Sequence, residues 1–320
     1  MNNILITGGA GFIGNYLTHR LIIEGRKVTI LDNLSIGKIK NIQQWLDNPN
    51  FAFIEGDLKD SKDITKAIQS SQIVFHLAAN PEVQIGETDP QVHFQENLVA
   101  TFNLLEAMRK SKTAKTIVFT STSTIYGEAN TLPTPEDYGP LAPISTYGAT
   151  KLGCEALITS YAYTFNSQAL ILRLANIVGP KANHGVIPDF IKKLQTNSNH
   201  LEILGDGNQK KSYLHIDDCI NAILHATKTL LKTNFKVNIY NICSIDQITV
   251  KKIAGIVAEE MHLHHVKFSF TGGVDGGRGW KGDVKNMHLS TEKLARTGWT
   301  PKYTSEQAIR KATQSLLREY

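Results

Sequence analysis

The chain has 320 residues, 41% of them hydrophobic and 20% charged, with a formal net charge of +5. That length allows one large or two ordinary domains with a substantial core, and the composition is that of an ordinary soluble protein. No apolar run approaches the roughly 18 residues a membrane helix needs, and no basic-aromatic stripe marks a nucleic-acid surface. The opening MNNILITGG has no basic region leading into an apolar segment and a cleavage site, so no secretion signal is expected. Cys154, Cys219 and Cys243 are far apart and odd in number, which points to a reducing, cytoplasmic setting without a disulfide framework.

In chain order the first element is a strand, NILIT (3–7). Apolar runs of strand length follow at KVTIL (27–31), FAFIEG (51–56), QIVFHLA (72–78), TIVFTS (116–121) and ALILRL (169–174). Helical patterns separate them, clearest at 91–111 and 147–165. Strand and helix alternating over short connections predicts an α/β fold: a doubly wound, Rossmann-type parallel sheet covered by helices on both faces. After residue 176 the rhythm breaks into loops rich in Gly, Asn and Pro (GPKANHGVIP, GDGNQ, TGGVDGGRGW) with helices between them. These predict a smaller α/β cap domain. The expected division is 1–175 plus 212–243 for the sheet domain, and 176–211 plus 244–320 for the cap.

ILITGGAGFIG (4–14) places Gly8, Gly11 and Gly14 after the first strand and at the opening of a helix. A dinucleotide pyrophosphate needs backbone N–H groups aimed at it and no side chain in its path. Glycines at a strand-to-helix turn meet both needs, and the helix dipole adds attraction. The spacing is G-x-x-G-x-x-G, not G-x-G-x-x-G, so its weight comes from context: a strand before, an amphipathic helix after, and Asp32 ending the second strand. A carboxylate there can bind both adenosine ribose hydroxyls and repels a 2′-phosphate, favouring NAD over NADP. The competing reading is a tight structural turn. Asp57 and Leu58 follow the third strand, where a carboxylate can accept from an adenine amino group. HLAA (76–79) follows the fourth, with small residues where backbone passes close to a ligand.

STYGATK (145–151) sets Tyr147 and Lys151 four residues apart, on one face of a helix. A free phenol is a poor base at neutral pH, and a nearby ammonium, helped by the positive nicotinamide of NAD+, favours the phenolate and lowers the pKa of the phenol. Tyr147 could then take a proton from a substrate hydroxyl while hydride leaves the same carbon. Tyr-x-x-x-Lys also occurs on helices by chance. FTSTSTIYGEA (119–129) just upstream supplies a hydroxyl to stand beside Tyr147, although Ser and Thr also suit a strand end.

Along nearly the whole chain, TGGAGFIG, LDNLSIG, EGDLKD, HLAA, the helix of Asn97, FTSTSTIYGE, STYGATK, LRLANIVGP, KSYLHIDD, GWKGDV and TGWTPKY resemble the extended short-chain dehydrogenase/reductases. Within that group the chain is similar to NAD-dependent nucleotide-sugar epimerases of the UDP-glucose 4-epimerase kind. The resemblance implies that Gly8, Gly11, Phe12, Ile13 and Gly14 bind pyrophosphate, and that Asp32, Asn33, Ser35 and Gly37 surround the adenosine ribose. It implies that Asp57 and Leu58 hold adenine, and that Leu77, Ala78, Ala79, Asn97, Thr120 and Ser121 line the cofactor cleft. Tyr147 is then the acid/base, Lys151 holds the nicotinamide ribose and tunes it, and Thr122 is the assisting hydroxyl, with Ser121 as second choice. Ser123, Asn176, Val186, Lys211, Arg278 and Met287 are the implied substrate contacts.

The departures narrow the reading. Lys211 stands where Arg is frequent, and Arg278-Gly-Trp-Lys281-Gly-Asp283 replaces R-x-G-D, so either Arg278 or Lys281 could take the diphosphate. Leu174 and Ala175 replace larger aromatic residues. Related 4,6-dehydratases carry an acidic pair where Ser123 and Thr124 stand, which leaves oxidation to a 4-keto sugar and re-reduction on the other face. Glucose/galactose forms, their N-acetylated forms and a uronic acid all remain open. So do a 4-ketoreductase, a dehydratase and, on the same fold, a non-catalytic NAD-binding protein. The resemblance further implies a homodimer built as a four-helix bundle from 91–111 and 147–165. Val99, Phe102, Leu105, Met108, Leu157, Ile158, Tyr161 and Phe165 could supply that face or cover the sheet. Tyr126 and Tyr213 are expected in the core, and MHLHH (261–265) as a solvated turn with no metal.

Overall fold

A computed structural model describes residues 3–319. The aliphatic runs form the strands β1 (Asn3–Thr7), β2 (Lys27–Asp32), β3 (Phe51–Glu55), β4 (Ile73–His76), β5 (Thr116–Thr122) and β6 (Gln168–Leu174). With β11 (Val237–Ile242) they make one seven-stranded sheet in the order β11-β6-β5-β4-β1-β2-β3. The pairs from β5 across to β3 are parallel. Thr7 lies opposite Leu31 on one side and His76 on the other, so the carboxyl ends of the central strands finish level. In such sheets that is the end at which ligands bind.

The chain divides into two compact units. The first comprises 1–122, 146–173 and 223–240, and the second 123–145, 174–222 and 241–320. The core of the first packs Leu5, Val74, Ile117, Phe119 and Ile171 of the sheet against α2 (Ser61–Ile68), α4 (Ala100–Lys110) and α5 (Thr146–Thr164). The helix α1 (Phe12–Ile23) is not one-sided in its chemistry. Asn15 and Thr18 join Leu17, Leu21 and Ile22 on its buried face, and their side chains donate to the carbonyls of Gly11 and Gly14 at 2.8 Å. Glu155 on α5 and Arg173 on β6 form a buried ion pair at 2.8 Å, with a second contact at 3.1 Å. A lone partner would be an uncompensated buried charge, so the pair locks helix to strand.

The second unit uses short strands. β7 (Asn176–Val178) pairs with β10 (Tyr213–His215), β8 (His200–Ile203) with β13 (Lys267–Phe270), and β9 (Lys210–Lys211) lies between β12 (Ile248–Thr249) and β14 (Asn286–Met287). Its core joins Ile187 and Ile191 of α6 (Val186–Thr196), Ile253 and Val257 of α8 (Val250–Glu260), and Ile309 of α10 (Ser305–Leu317). The remaining helices are α7 (Ile216–Leu230) and the short α9 (Glu292–Ala295).

The division differs from the sequence expectation over 123–145 and 212–222, and at the margins over 174–175 and 241–243. The first stretch groups with the second unit because Tyr126 donates to Asn241 Oδ1 at 2.8 Å, Asn241 Nδ2 donates to the Thr134 carbonyl at 2.9 Å, and Thr134 bridges Leu289. The second groups there because β10 pairs with β7. Tyr126 and Tyr213 are buried. His262, His264 and His265 are exposed, and His262 has φ +57. The expected helix 91–111 is three pieces: α3 (Pro90–His93), a π-helical turn Phe94–Val99, and α4. Such turns are rare and frequent at functional sites.

Candidate active site

Gly8 has φ +71, and a Cβ there would lie 2.7 Å from the Ala78 backbone nitrogen. A Cβ on Gly14 would lie 2.2 Å from the Gly8 carbonyl oxygen. Glycine at both positions is therefore demanded by the turn and by HLAA as neighbours. Phe12 and Ile13, partly buried, open α1 beside them. Asp32, buried at the end of β2, accepts from the Ala10 N–H through Oδ2 and from the Leu34 N–H through Oδ1, both at 2.9 Å. Burial is the strongest influence on its carboxyl and raises its pKa. Gly37 presses on the same carboxylate, since a Cβ would lie 2.9 Å from Oδ1.

The neighbouring polar groups are ordered in advance. Asn33 donates to Asp57 Oδ2 at 3.1 Å, and its own Oδ1 accepts from the Ser35 N–H and hydroxyl. Burial pushes Asp57 up, but the Lys59 N–H, Asn33 and the Lys59 charge outweigh it and hold it below the usual carboxylate range. Leu58 is buried, and its carbonyl accepts from Asn103 at 3.0 Å.

Behind the strand ends runs a buried chain of hydrogen bonds. Thr7 Oγ1 lies 2.8 Å from His76 Nδ1, and His76 Nε2 lies 2.9 Å from Thr101 Oγ1. Thr101 gives its own proton to the Asn97 carbonyl at 2.6 Å, so it can only accept from His76. His76 therefore carries its proton on Nε2, and Nδ1 accepts from Thr7. Thr7 Oγ1 in turn accepts from the Ala78 N–H at 3.3 Å, which ties the residues after β4 to the end of β1. Burial, with the Lys151 charge adding to it, drives His76 down to about 3, so the ring is neutral.

The π-turn aims Asn97 at the same region. Its Oδ1 accepts from the Asn80 N–H at 2.8 Å, and its Nδ2 points at Thr150 Oγ1 and His93 Nδ1 at 3.4 Å each. Leu77, Ala78 and Ala79 lie half-buried between these two clamps. His93 is fully buried and meets the Tyr147 ring edge-to-face at 5.6 Å between centroids.

Lys151 is 2% exposed. Its Nζ donates to the Thr120 carbonyl at 2.7 Å and lies 4.4 Å from the centre of the Phe119 ring. Burial lowers its pKa to about 8 against the raising effect of Cys154 and Glu155. Tyr147, half-buried at the start of α5, shares a hydrogen bond with the Thr122 side chain. Burial pushes its phenol up to about 12, Thr122 pulls it down, and Cys154 pushes it up. In the protein without NAD, the lowering expected from Lys151 is not among these influences. The ammonium is turned onto a carbonyl and an aromatic face. Thr120, Ser121 and Ser123 are buried beside Thr122, and the Ser121 hydroxyl has no hydrogen-bond partner among the described residues.

The other expected substrate residues lie in the second unit. Asn176 donates to the Ser212 carbonyl at 3.3 Å, Val186 opens α6, and Met287 is buried in β14 opposite Lys211. Lys211 is ion-paired with Asp283 and lies 5.5 Å from the centre of the Trp280 ring. Arg278 is paired with Glu128 at 2.6 Å, and Lys281 is exposed.

Residues 4–243 match the model of the NAD dependent epimerase/dehydratase family. The chain belongs to that family. NAD is its cofactor, and the glycine turn, whose tight positions leave no room for a Cβ, together with the Asp32 carboxylate, fits a dinucleotide. Similar members include a crystal structure of a UDP-galactose 4-epimerase, 42% identical, covering 99% of both chains with a TM-score of 0.88. The UDP-glucose 4-epimerase of Corynebacterium glutamicum is 32% identical over 96% of this chain and 93% of its own. The UDP-glucuronic acid 4-epimerase of Bacillus cereus, in complex with UDP-glucuronic acid and NAD, is 29% identical, covers 99% of this chain and 100% of its own, and superposes with a TM-score of 0.87.

Within this family member, sequence reading passed over His76, Thr101, His93 and Glu128. His76 stands inside HLAA and Glu128 inside YGEA, but the partners that define their roles are distant in the chain. NMR of nitrogen-labelled histidine should show His76 as the neutral Nε2–H tautomer down to pH 5. A ring that titrates near pH 6.5, the usual histidine value, would contradict the hydrogen-bond chain.

Proposed function

We propose that this chain is a UDP-sugar 4-epimerase acting on UDP-glucose/UDP-galactose or their N-acetylated forms. The observation that carries the reading is the Tyr147–Thr122 hydrogen bond with Lys151 one helical turn on, followed by hydroxyls rather than carboxylates at Ser123 and Thr124. The comparison with the UDP-galactose 4-epimerase structure supports it.

In this reading Gly8, Gly11, Phe12, Ile13 and Gly14 hold the pyrophosphate of NAD, and Asp32, Asn33, Ser35 and Gly37 hold its adenosine ribose. Asp57 and Leu58 hold the adenine. Leu77, Ala78, Ala79, Asn97, Thr120, Ser121 and Lys151 line the nicotinamide end. NAD, when bound, supplies reversible hydride acceptance at the substrate carbon. Tyr147 is a phenol at neutral pH in the protein alone and in that form gives a proton; to take the proton of the C4 hydroxyl it must be the phenolate, a form the positive charge of oxidised NAD would favour when bound, and Thr122 shares its hydrogen bond. Together the two hydroxyls hold the C4 oxygen of the sugar, and its proton moves through Tyr147. Thr122, Ser123, Asn176, Val186, Lys211, Arg278 and Met287 are assigned to the nucleotide sugar. The net reaction consumes no cofactor.

The pure protein, given no added NAD, should convert UDP-galactose or UDP-N-acetylgalactosamine to its 4-epimer by proton NMR. UDP-glucuronic acid belongs in the same panel because of the Bacillus cereus relative. Tyr147→Phe should lose about 10²- to 10⁴-fold in rate, the usual worth of a positioned acid/base. Full activity in that variant would overturn the mechanism. Consumption of added NADH with a 4-keto sugar would mark a 4-ketoreductase instead.

The helices α4 and α5 are proposed to pair with a second copy. Leu105, Met108 and Ile158 are buried in the core with the sheet, which removes them from the expected face. Phe102 and Phe165 are exposed, each ring in contact with Tyr161, and leave an apolar strip. Three free, buried cysteines suit a reducing cytoplasm, and among the described residues no helix is long and apolar enough to cross a membrane. The protein should sediment as a dimer and Phe102→Glu/Phe165→Glu as a monomer. A monomeric wild type would remove the pairing.

A further inference from the structure

The phosphate-seeking cation Arg278 is already engaged. Its Nη2 donates to Glu128 Oε1 at 2.6 Å, and its Nη1 donates to the Asp275 carbonyl. The same Glu128 oxygen accepts the Lys285 backbone N–H at 3.1 Å. Glu128 is held in place by the turn before it: Gly127 has φ +61, and a Cβ there would lie 2.0 Å from the Ala142 carbonyl oxygen. Arg278 closes a glycine-rich hairpin in which Val274 bridges Arg278, with Gly276 at φ +84 and Gly277 at φ +94.

We propose that Glu128 is a carboxylate placeholder for the nucleotide phosphate and sets how tightly the nucleotide is held. Carboxylate and phosphate offer a guanidinium the same acceptor geometry, so they compete for one face. A diphosphate arriving at Arg278 must displace Glu128, and a departing product is replaced by it. The proposal rests on the reading of Arg278 as a diphosphate contact.

Glu128 also has an opposite effect, because it orders the loop before the ligand arrives and so lowers the cost of binding. Two other ties decide between them. The Asp275 carbonyl still holds Nη1, and Lys285 Nζ still bonds Asp206 at 2.8 Å. The hairpin therefore stays ordered without Glu128, and what its loss removes is the competitor. An engineered protein lacking this carboxylate should bind nucleotide more tightly and release it more slowly.

Calorimetric titration of the NAD-loaded protein with UDP tests this directly. Glu128→Gln keeps the side-chain size and an acceptor for the Lys285 N–H. It should bind UDP about two- to five-fold more tightly than wild type, the range an exposed ion pair commands. Uridine, which has no phosphate, should show no gain. The gain should vanish when Arg278→Ala is added, and Asp206→Asn, which loosens the hairpin without freeing Arg278, should not reproduce it. Equal or weaker UDP binding by Glu128→Gln would overturn the proposal. A gain for uridine, a gain surviving in the Arg278→Ala background, or an equal gain in Asp206→Asn would also overturn it. If wild type binds UDP and Glu128→Gln is unchanged, the placeholder alone fails. If wild type binds no UDP, the nucleotide-sugar reading falls as well.

Discussion

A buried ammonium holds the first unit's chemistry in place. Lys151 is almost fully removed from water, which penalises its charge, and its Nζ is compensated by the Thr120 carbonyl and the face of Phe119. Two periodicities meet at that contact. Tyr147 and Lys151 are one helical turn apart on α5, and Thr120 and Thr122 are one strand repeat apart on β5. Docking Lys151 on Thr120 therefore brings Thr122 to Tyr147, and the second hydrogen bond follows from the first.

The neutral His76 chain does the same work at the adjoining strand ends. Every donor in Thr7–His76–Thr101–Asn97 has an acceptor, so the network fixes the Ala78 backbone against the glycine turn without adding charge. A protonated imidazole there would stand beside the Lys151 ammonium. Burial and that ammonium both act against it, and so the two buried groups keep the region to a single positive charge. Asn97 closes the arrangement from the π-turn, which a regular helix over 91–111 would have aimed elsewhere.

Much of this was legible in the chain. The six strands announce themselves as aliphatic runs, and the glycine turn, Asp32, Tyr147 and Lys151 carry their geometry in their spacing. Single-residue patterns could not show the π-turn, because one extra residue per turn leaves the apolar periodicity of 91–111 nearly unchanged. They could not group 123–145 with the second unit, since that follows from hydrogen bonds between residues over a hundred positions apart. The direction of the Tyr147 shift was also hidden. Spacing places an ammonium on the same helix face, but only the structure shows it turned to Thr120 and leaves burial as the strongest influence on the phenol. The pairing of Arg278 with Glu128 is likewise invisible in a sequence where they stand 150 residues apart.

The most direct measurement is a pH titration of the Lys151 side chain by NMR of carbon-labelled lysine, with Lys151→Arg to assign the signal. The expected midpoint is near 8, well below that of the surface lysines. A midpoint at the ordinary value of about 10.4 would show the ammonium to be solvated and would contradict the docking of Lys151 on which the arrangement of Thr122 and Tyr147 depends.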